Sequence, residues 1–286
     1  MNLAPFNAVC FAQTVYFLTM FMNIRIALAQ FKITHQDRKT NLRRIEEVMQ
    51  QAVKECTRVV VFPEDCITGS IFGDLSKLDY NHSNRDAFAA LAKKYRIDVV
   101  TGSSMEGRPE GNFNTSYYVS AHGEILGEYR KNHLYPSEHA FLNPGTEAPV
   151  FDTKYGRAGI VICWDMLFPE IFERMKQQGV EIIYCPSYWY REIAESMANL
   201  NPCSEEQLLD ALCLTRAVEA NAAVLYCNAA GVMKNPNGTV DTLIGHSQAV
   251  MPVLGAVKRQ ENNDETLLIV DLDLELLKKS AEIYRA

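Results

Sequence analysis

The chain has 286 residues, of which 48% are hydrophobic and 22% are charged, so it can bury a large core and shows no compositional sign of disorder. Its formal net charge of -7 leaves no surplus of Lys and Arg to neutralise phosphates, which argues against a nucleic-acid partner. The eight cysteines include no C-x-x-C pair, so we expect a protein of the reducing cytoplasm.

The first 22 residues differ from the rest of the chain. Residues 8–22 are nearly all apolar, yet they lack the basic start of a secretory signal and the length of a bilayer span. Met20 and Met22 directly precede the first core-like strand. We therefore interpret residues 1–22 as an extension that either results from a wrongly assigned start codon or is disordered, with a membrane tether as the alternative. We predict one domain over residues 23–286 and no membrane span.

From residue 23 onward, short β-branched runs alternate with longer stretches at helical spacing, which is typical of a layered α/β domain. Strands outside hairpins are predicted over residues 24–29, 58–62, 98–102, 182–185, 224–227, 248–251 and 267–272. Helices are predicted over residues 38–54, 86–95, 169–178, 205–220 and from residue 273 onward. Hairpins are predicted over residues 116–130 and 150–163. This order predicts two sheets sandwiched between helix layers.

Three segments each carry a reactive residue just past a hydrophobic strand, where a sheet delivers side chains to the edge of the core. These residues are Glu64, Lys131 and Cys163. A carboxylate, an ammonium and a thiol suffice for acyl transfer, since they supply a base, an oxyanion stabiliser and a nucleophile. Each residue alone has an ordinary interpretation, as a helix N-terminal carboxylate, an exposed hairpin charge or a buried thiol. The prediction therefore rests on the set.

The same segments resemble the three motifs of the nitrilase superfamily. They read F-P-E at residues 62–64, Y-R-K-N-H-L at 129–134 and C-W-D-M-L-F-P-E at 163–170, intact and in the order of that family. The similarity extends from about Asn23 to about Asp273. The resemblance implies a four-layer α-β-β-α sandwich and a hydrolase that cleaves a non-peptide carbon–nitrogen bond of a small amide or carbamoyl-type substrate through a cysteine thioester.

The resemblance also implies roles for individual residues. Cys163 would be the nucleophile and Glu64 the general base, while Lys131 and the backbone N–H of Trp164 would form the oxyanion hole. Glu138 occupies the place of a second glutamate with which many members orient the substrate or the lysine. We expect no cofactor and no metal, because the histidines near the lysine form no ligand pattern. As in other members, we expect a homodimer or a higher homo-oligomer.

Residues near the nucleophile bear on the substrate. In relatives that act on substrates with a free carboxylate, an arginine often stands four positions after the nucleophile, but here that position is Leu167. This argues against dicarboxylate monoamides and favours an apolar or cationic acyl portion. Trp164, directly after Cys163, resembles the residue at this position in family branches that act on carbamoyl-amines. Tyr188, Trp189 and Tyr190 follow the strand over residues 182–185 and are predicted to line the pocket with Trp164, and a role as ordinary interface or core aromatics is the alternative.

The charges around the site can also be predicted. Lys131 should stay charged, because two carboxylates oppose the desolvation that would lower its pKa. The Cys163 thiol, with this ammonium nearby, should ionise more readily than a free cysteine. Asp165 is expected to hold the turn after the nucleophile by hydrogen bonding to backbone.

Two hypotheses for a function other than hydrolysis stay open. One is a catalytically silent member that binds a metabolite or a protein, and the other is a thiol-based redox sensor that uses Cys163. Retention of Glu64, Lys131, Glu138 and Cys163 together argues against the silent binder. A sensor would need a resolving cysteine, and none lies within the Cys163 segment, although Cys185 could be a neighbour in space.

Overall fold

The computed structural model describes residues 23–235 and 238–283, and the extension predicted over residues 1–22 lies outside them. The helices are α1 (Arg38–Lys54), α2 (Ser83–Tyr95), α3 (Pro169–Gln177), α4 (Ser204–Ala220) and α5 (Leu274–Ile283). The strands are β1 (Asn23–Gln30), β2 (Val59–Val61), β3 (Asp98–Val100), β4 (Ser104–Arg108), β5 (Gly111–Val119), β6 (Ile125–Arg130), β7 (Val150–Thr153), β8 (Gly156–Ile160), β9 (Ile182–Ser187), β10 (Ala223–Asn228), β11 (Val232–Lys234), β12 (Val240–Thr242), β13 (Gln248–Met251), β14 (Gly255–Arg259) and β15 (Thr266–Asp273).

The first sheet contains seven strands in the order β15-β1-β2-β3-β5-β4, with β6 paired to β5. Strands β1, β2 and β3 run parallel, because α1 and α2 return the chain to the same edge after each strand. The carboxyl ends of these strands therefore meet at one edge of the sheet. Glu64 follows β2 at that edge, and Lys131 follows β6.

The second sheet contains six strands in the order β14-β13-β10-β9-β8-β7. Its central strands β8, β9 and β10 run parallel, so Cys163 after β8 and Tyr188 after β9 leave the sheet on the same side. The edges of the two sheets meet where the backbone N–H of Glu64 donates to the Ser187 carbonyl at 3.2 Å. This contact brings the ends of β2, β8 and β9 together.

The two sheets pack face to face, and helices cover their outer faces. In β1 the side chains of Ile24, Ile26 and Leu28 join the core between the sheets, while Ala27 and Ala29 pack with α1 and α2. This alternation follows from the two-residue period of a strand. On the far side, α3 and α4 pack against the second sheet. The predicted four-layer α-β-β-α sandwich is confirmed.

Most predicted elements are present, but some strands were missed. Strand β4 carries the buried Glu106, whose carboxylate pairs with Arg108, so its sequence lacks an apolar signal. Strand β14 lies at a sheet edge, where its side chains are mostly exposed. Sequence reasoning also missed the hairpin of β11 and β12. Among the described residues, no helix combines the length and the apolar character that crossing a bilayer requires.

Truncation of a side chain between the sheets tests this packing. Ile26 is fully buried, so Ile26→Ala should lower the free energy of unfolding by about 2–5 kcal/mol, because it leaves a cavity. Val53→Ala is the control, since Val53 lies on α1 and is 41% exposed; its effect should stay within about 0.5 kcal/mol. Urea denaturation followed by circular dichroism measures both. Equal losses would contradict the layered core.

Candidate active site

The four predicted catalytic side chains lie in the wall of one cavity of about 290 Å³, together with Trp164 and Tyr188. The four are Glu64, Lys131, Glu138 and Cys163. Two larger clefts lie beside α5, and none of these residues lines them, so their size does not indicate a reaction site. The volume at Cys163 suits a substrate smaller than a typical drug.

Lys131 is the centre of the polar contacts. Its side chain is 2% exposed, and its Nζ donates to Glu64 Oε1 and to Glu138 Oε2, both at 2.8 Å. Burial lowers the pKa of this ammonium, but the attraction of Glu138 and Glu64 outweighs burial and holds the pKa well above its ordinary value. The prediction that Lys131 keeps its charge is confirmed.

Asn114 on β5 fixes the positions of the Glu64 and Glu138 side chains. Its Nδ2 donates to Glu64 Oε1 at 2.9 Å and to Glu138 Oε1 at 3.3 Å. Its backbone carbonyl accepts from the Lys131 backbone N–H at 2.9 Å. The Tyr135 backbone N–H donates to the other Glu138 oxygen at 2.7 Å. Sequence reasoning missed Asn114, because the polar first half of β5 gives no strand pattern.

Glu64 is 3% exposed and lies beside both Lys131 and Cys163. Its Oε2 accepts from the Tyr188 backbone N–H at 3.1 Å. Burial raises the pKa of Glu64, Lys131 opposes this, and Glu138 adds to it; the result is a pKa above the ordinary value. A carboxylate with a raised pKa takes up a proton more readily, which suits a general base.

Cys163 begins a 3-10 turn, Cys163–Leu167, with a φ of 47°. This left-handed backbone conformation is strained for a residue with a Cβ and often marks a functional site. Burial raises the pKa of the thiol, Glu64 raises it further, and Lys131 only partly opposes them. The prediction that the thiol ionises readily is therefore wrong, because desolvation outweighs the ammonium. The resting thiol needs a base.

Asp165 is fully buried and joins the lysine segment to the cysteine segment. One carboxylate oxygen accepts from the Ile162 backbone N–H at 2.9 Å and from the Tyr129 hydroxyl at 2.8 Å. The other accepts from the His133 backbone N–H at 2.8 Å. The predicted backbone hydrogen bond is confirmed, and the contacts to Tyr129 and His133 also fix Lys131 relative to Cys163.

His133 extends this connection. Its ring stacks on Phe168 with centroids 3.7 Å apart, and its Nε2 lies 2.9 Å from Glu170 Oε1. The contact with Asp165 is the largest effect that raises the pKa of His133. The histidine of one motif thus holds the F-P-E end of the other. Within the described residues, no three His, Cys, Asp or Glu side chains are placed to hold a metal ion.

The aromatic residues after β9 alternate in direction, as extended chain requires. Tyr188 and Tyr190 line the cavity, but Trp189 does not. Trp189 is fully buried behind Trp164, with ring centroids 5.3 Å apart, and its Nε1 donates to Glu205 at 2.7 Å. The assignment of Trp189 to the pocket wall is therefore wrong, whereas Tyr188 and Tyr190 line the cavity as the sequence predicted.

Replacement of the buried carboxylate tests the connection between the two motifs. Asp165→Asn should lower the free energy of unfolding by about 1–3 kcal/mol, because an amide cannot accept all of the present hydrogen bonds. Tyr129→Phe removes one of them and should cost about 1 kcal/mol. Urea denaturation measures both variants. Wild-type stability in Asp165→Asn would show that this contact does not hold the motifs together.

Comparison with known proteins agrees with this geometry. The family model described as carbon-nitrogen hydrolase matches residues 25–282. The chain is 27% identical over 266 residues to 2-oxoglutaramate amidase of Bacillus subtilis, a match that covers 92% of this chain and 94% of that protein. It is 26% identical over 278 residues to N-carbamoylputrescine amidase of Oryza sativa subsp. japonica, covering 90% of this chain and 88% of that protein.

A solved structure is also similar. It is a glutamate-to-leucine mutant of the amidase from Nesterenkonia sp. AN1, and it shows covalent addition of the acetamide moiety of fluoroacetamide at the active-site cysteine. The TM-score is 0.73 at 25% identity, and the match covers 92% of this chain and 96% of that chain. The family match spans most of the present chain and includes all three motifs. The chain therefore belongs to the carbon-nitrogen hydrolase family, within the nitrilase superfamily.

Proposed function

We propose that the chain hydrolyses a small amide or carbamoyl-type substrate through a thioester on Cys163. The observation that carries this proposal is the buried ammonium of Lys131, held between Glu64 and Glu138 in the same cavity as a strained cysteine. The cysteine adduct in the Nesterenkonia amidase and the amidase names of both curated relatives support it.

The first half of the reaction forms the thioester. Glu64 takes the proton of the Cys163 thiol as the sulfur bonds to the substrate carbon, and the carbonyl electron pair moves onto oxygen. Lys131 and the Trp164 backbone N–H stabilise that oxyanion. When the electron pair returns, the carbon–nitrogen bond breaks, and Glu64 gives its proton to the leaving nitrogen. Ammonia or an amine departs, and the acyl group stays on sulfur.

The second half releases the acid. Glu64 removes a proton from water as its oxygen attacks the thioester carbon, and the same oxyanion contacts form again. The carbon–sulfur bond then breaks, and the proton on Glu64 returns to the thiol. Loss of one oxyanion donor in such a site typically lowers turnover about 100-fold to 1,000-fold. Glu138 acts here by holding Lys131 in place and charged.

The raised pKa of the Cys163 thiol is consistent with this role for Glu64. A thiol that is neutral at rest must lose its proton during attack, and the nearby carboxylate can accept it. The redox-sensor reading is less favoured, because burial raises the pKa of Cys185, the candidate resolving thiol, to about 12. Such a thiol contributes little thiolate for disulfide exchange.

The first test is release of ammonia from amides, carbamoyl-amines, ureido acids and nitriles. Cys163→Ala should abolish release, because no thioester can form. Cys56→Ala is the matched control, since Cys56 is an exposed thiol outside the cavity, and it should keep wild-type rates. If the wild type releases ammonia from no compound and thiol reagents do not modify Cys163, a catalytically silent binder is favoured.

The pH dependence tests the base. Glu64 must be unprotonated to accept the thiol proton, and its pKa is raised. The value of kcat/KM should therefore rise with pH through a midpoint above the ordinary glutamate value of about 4.3. A pH–rate profile measures this, with circular dichroism confirming the fold at each pH. A profile that stays flat down to that ordinary value would exclude Glu64 as the base.

A further inference from the structure

The cavity wall carries two carboxylates that the reaction does not use, Asp65 and Asp241. Among the described residues that line the cavity, Lys131 is the one basic side chain, and it is already paired with both glutamates. Neither aspartate forms an ion pair within the described part of the chain. The cavity therefore carries more carboxyl groups than basic groups, and each carboxyl group that is ionised favours a cation.

Asp65 is buried without a full set of partners. Its side chain belongs to a residue that is 5% exposed, and its Oδ1 accepts no hydrogen bond from any described residue. The backbone is fixed, since its N–H donates to Ser103 Oγ at 3.2 Å and its carbonyl accepts from the Gly69 N–H at 2.7 Å. Burial raises the pKa of Asp65 well above its ordinary value, Glu64 and Glu138 raise it further, and Lys131 opposes them only in part. A cation bound beside Asp65 would lower that pKa and supply the donor that Oδ1 lacks.

Asp241 approaches the same place from β12. It is 9% exposed, and its Oδ2 accepts from the Tyr188 hydroxyl at 3.2 Å. Burial raises the pKa of that hydroxyl, as do Asp241 and Asp65, so both carboxylates lie near it. Burial raises the pKa of Asp241, and hydrogen bonds with Asn235 and Tyr188 oppose this shift. The nearby His35 adds little positive charge at pH 7, because burial lowers the pKa of its ring.

Two tyrosine rings complete the surroundings of the aspartates. Tyr188 and Tyr190 both line the cavity, with ring centroids 6.2 Å apart and planes inclined by 63°. The faces of aromatic rings attract cations, and the attraction grows when water is excluded. A carboxylate-bearing substrate would instead meet Asp65 and Asp241, and no free cation among the described residues of this wall, so it would be disfavoured.

We propose that Asp65, Asp241 and the rings of Tyr188 and Tyr190 bind a positively charged group of the substrate. The group is an ammonium or guanidinium, joined by a short aliphatic chain to the amide or carbamoyl carbon that Cys163 attacks. This inference rests on the proposed function and narrows its substrate class. It also explains why a pocket of a catalyst contains two carboxylates that have no part in the thioester chemistry.

The test compares three amides of equal length that differ in their far end: 5-aminopentanamide, neutral hexanamide and the monoamide of adipic acid. For the wild type, kcat/KM should be at least about tenfold higher for the amine than for hexanamide, mainly through KM, and lowest for the acid. Asp241→Asn should reduce the amine-to-hexanamide ratio about tenfold, towards one.

Two further variants guard against a general effect. Asp65→Asn should also reduce the ratio, and asparagine tolerates the left-handed φ of 54° at this position. Asp152→Asn makes the same change of charge at an exposed residue outside the cavity and should keep the wild-type ratio. The inference is overturned if the wild type does not discriminate between amine and hexanamide, or if both cavity variants keep its preference.

Binding to the Cys163→Ala variant separates this inference from the proposed function. Calorimetry should show tighter binding of 5-aminopentanamide than of hexanamide, and the difference should disappear when Asp241→Asn is added. If this holds while the wild type hydrolyses no amide or urea, the proposed reaction is wrong and the cation site stands. If the amine binds no more tightly than hexanamide, the cation site is wrong, whatever the rate of hydrolysis.

Discussion

The buried ammonium of Lys131 is the interaction on which the site depends. Removal of one charge from a buried ion pair typically costs about 3–5 kcal/mol, because the other is left unpaired. Here one ammonium at 2% exposure serves both Glu64 and Glu138, and Asn114 fixes both carboxylates. The positions of Glu64 and Glu138 and the charge of Lys131 are therefore set together. None of the three can be moved independently.

The two sheets make this arrangement possible. Glu64 and Lys131 follow strands of the first sheet, whereas Cys163 follows a strand of the second. Asp165 joins them, because it binds the backbone beside Cys163 and the residues that flank Lys131. The same cavity receives Asp241 from a hairpin outside both sheets. The two sheets thus fix Glu64, Lys131 and Cys163, whereas the separate hairpin contributes Asp241 to the cavity wall.

Glu64 and Cys163 could be proposed as catalytic because each follows an apolar run within a contiguous motif, whereas Lys131 follows the mixed strand β6 and was identified by its motif. The layered fold could be predicted for the same reason, since its central strands are continuously hydrophobic. Asn114 could not, because its strand begins with polar residues, and Asp241 lies on a short hairpin with no motif. Trp189 was misplaced because the direction of alternate side chains was not applied. The prediction that Cys163 ionises readily was wrong, because the sequence shows the neighbouring charge but not the depth of burial.

The measurement that most directly tests the thioester is rapid-quench mass spectrometry of the peptide that contains Cys163 during turnover of the best amide. The peptide should carry the substrate's acyl group within the first turnover, and the adduct should disappear as the substrate is consumed. Cys163→Ala should show neither adduct nor ammonia. Turnover during which the Cys163 peptide stays unmodified at every time point, or ammonia release that persists in Cys163→Ala, would contradict a covalent mechanism.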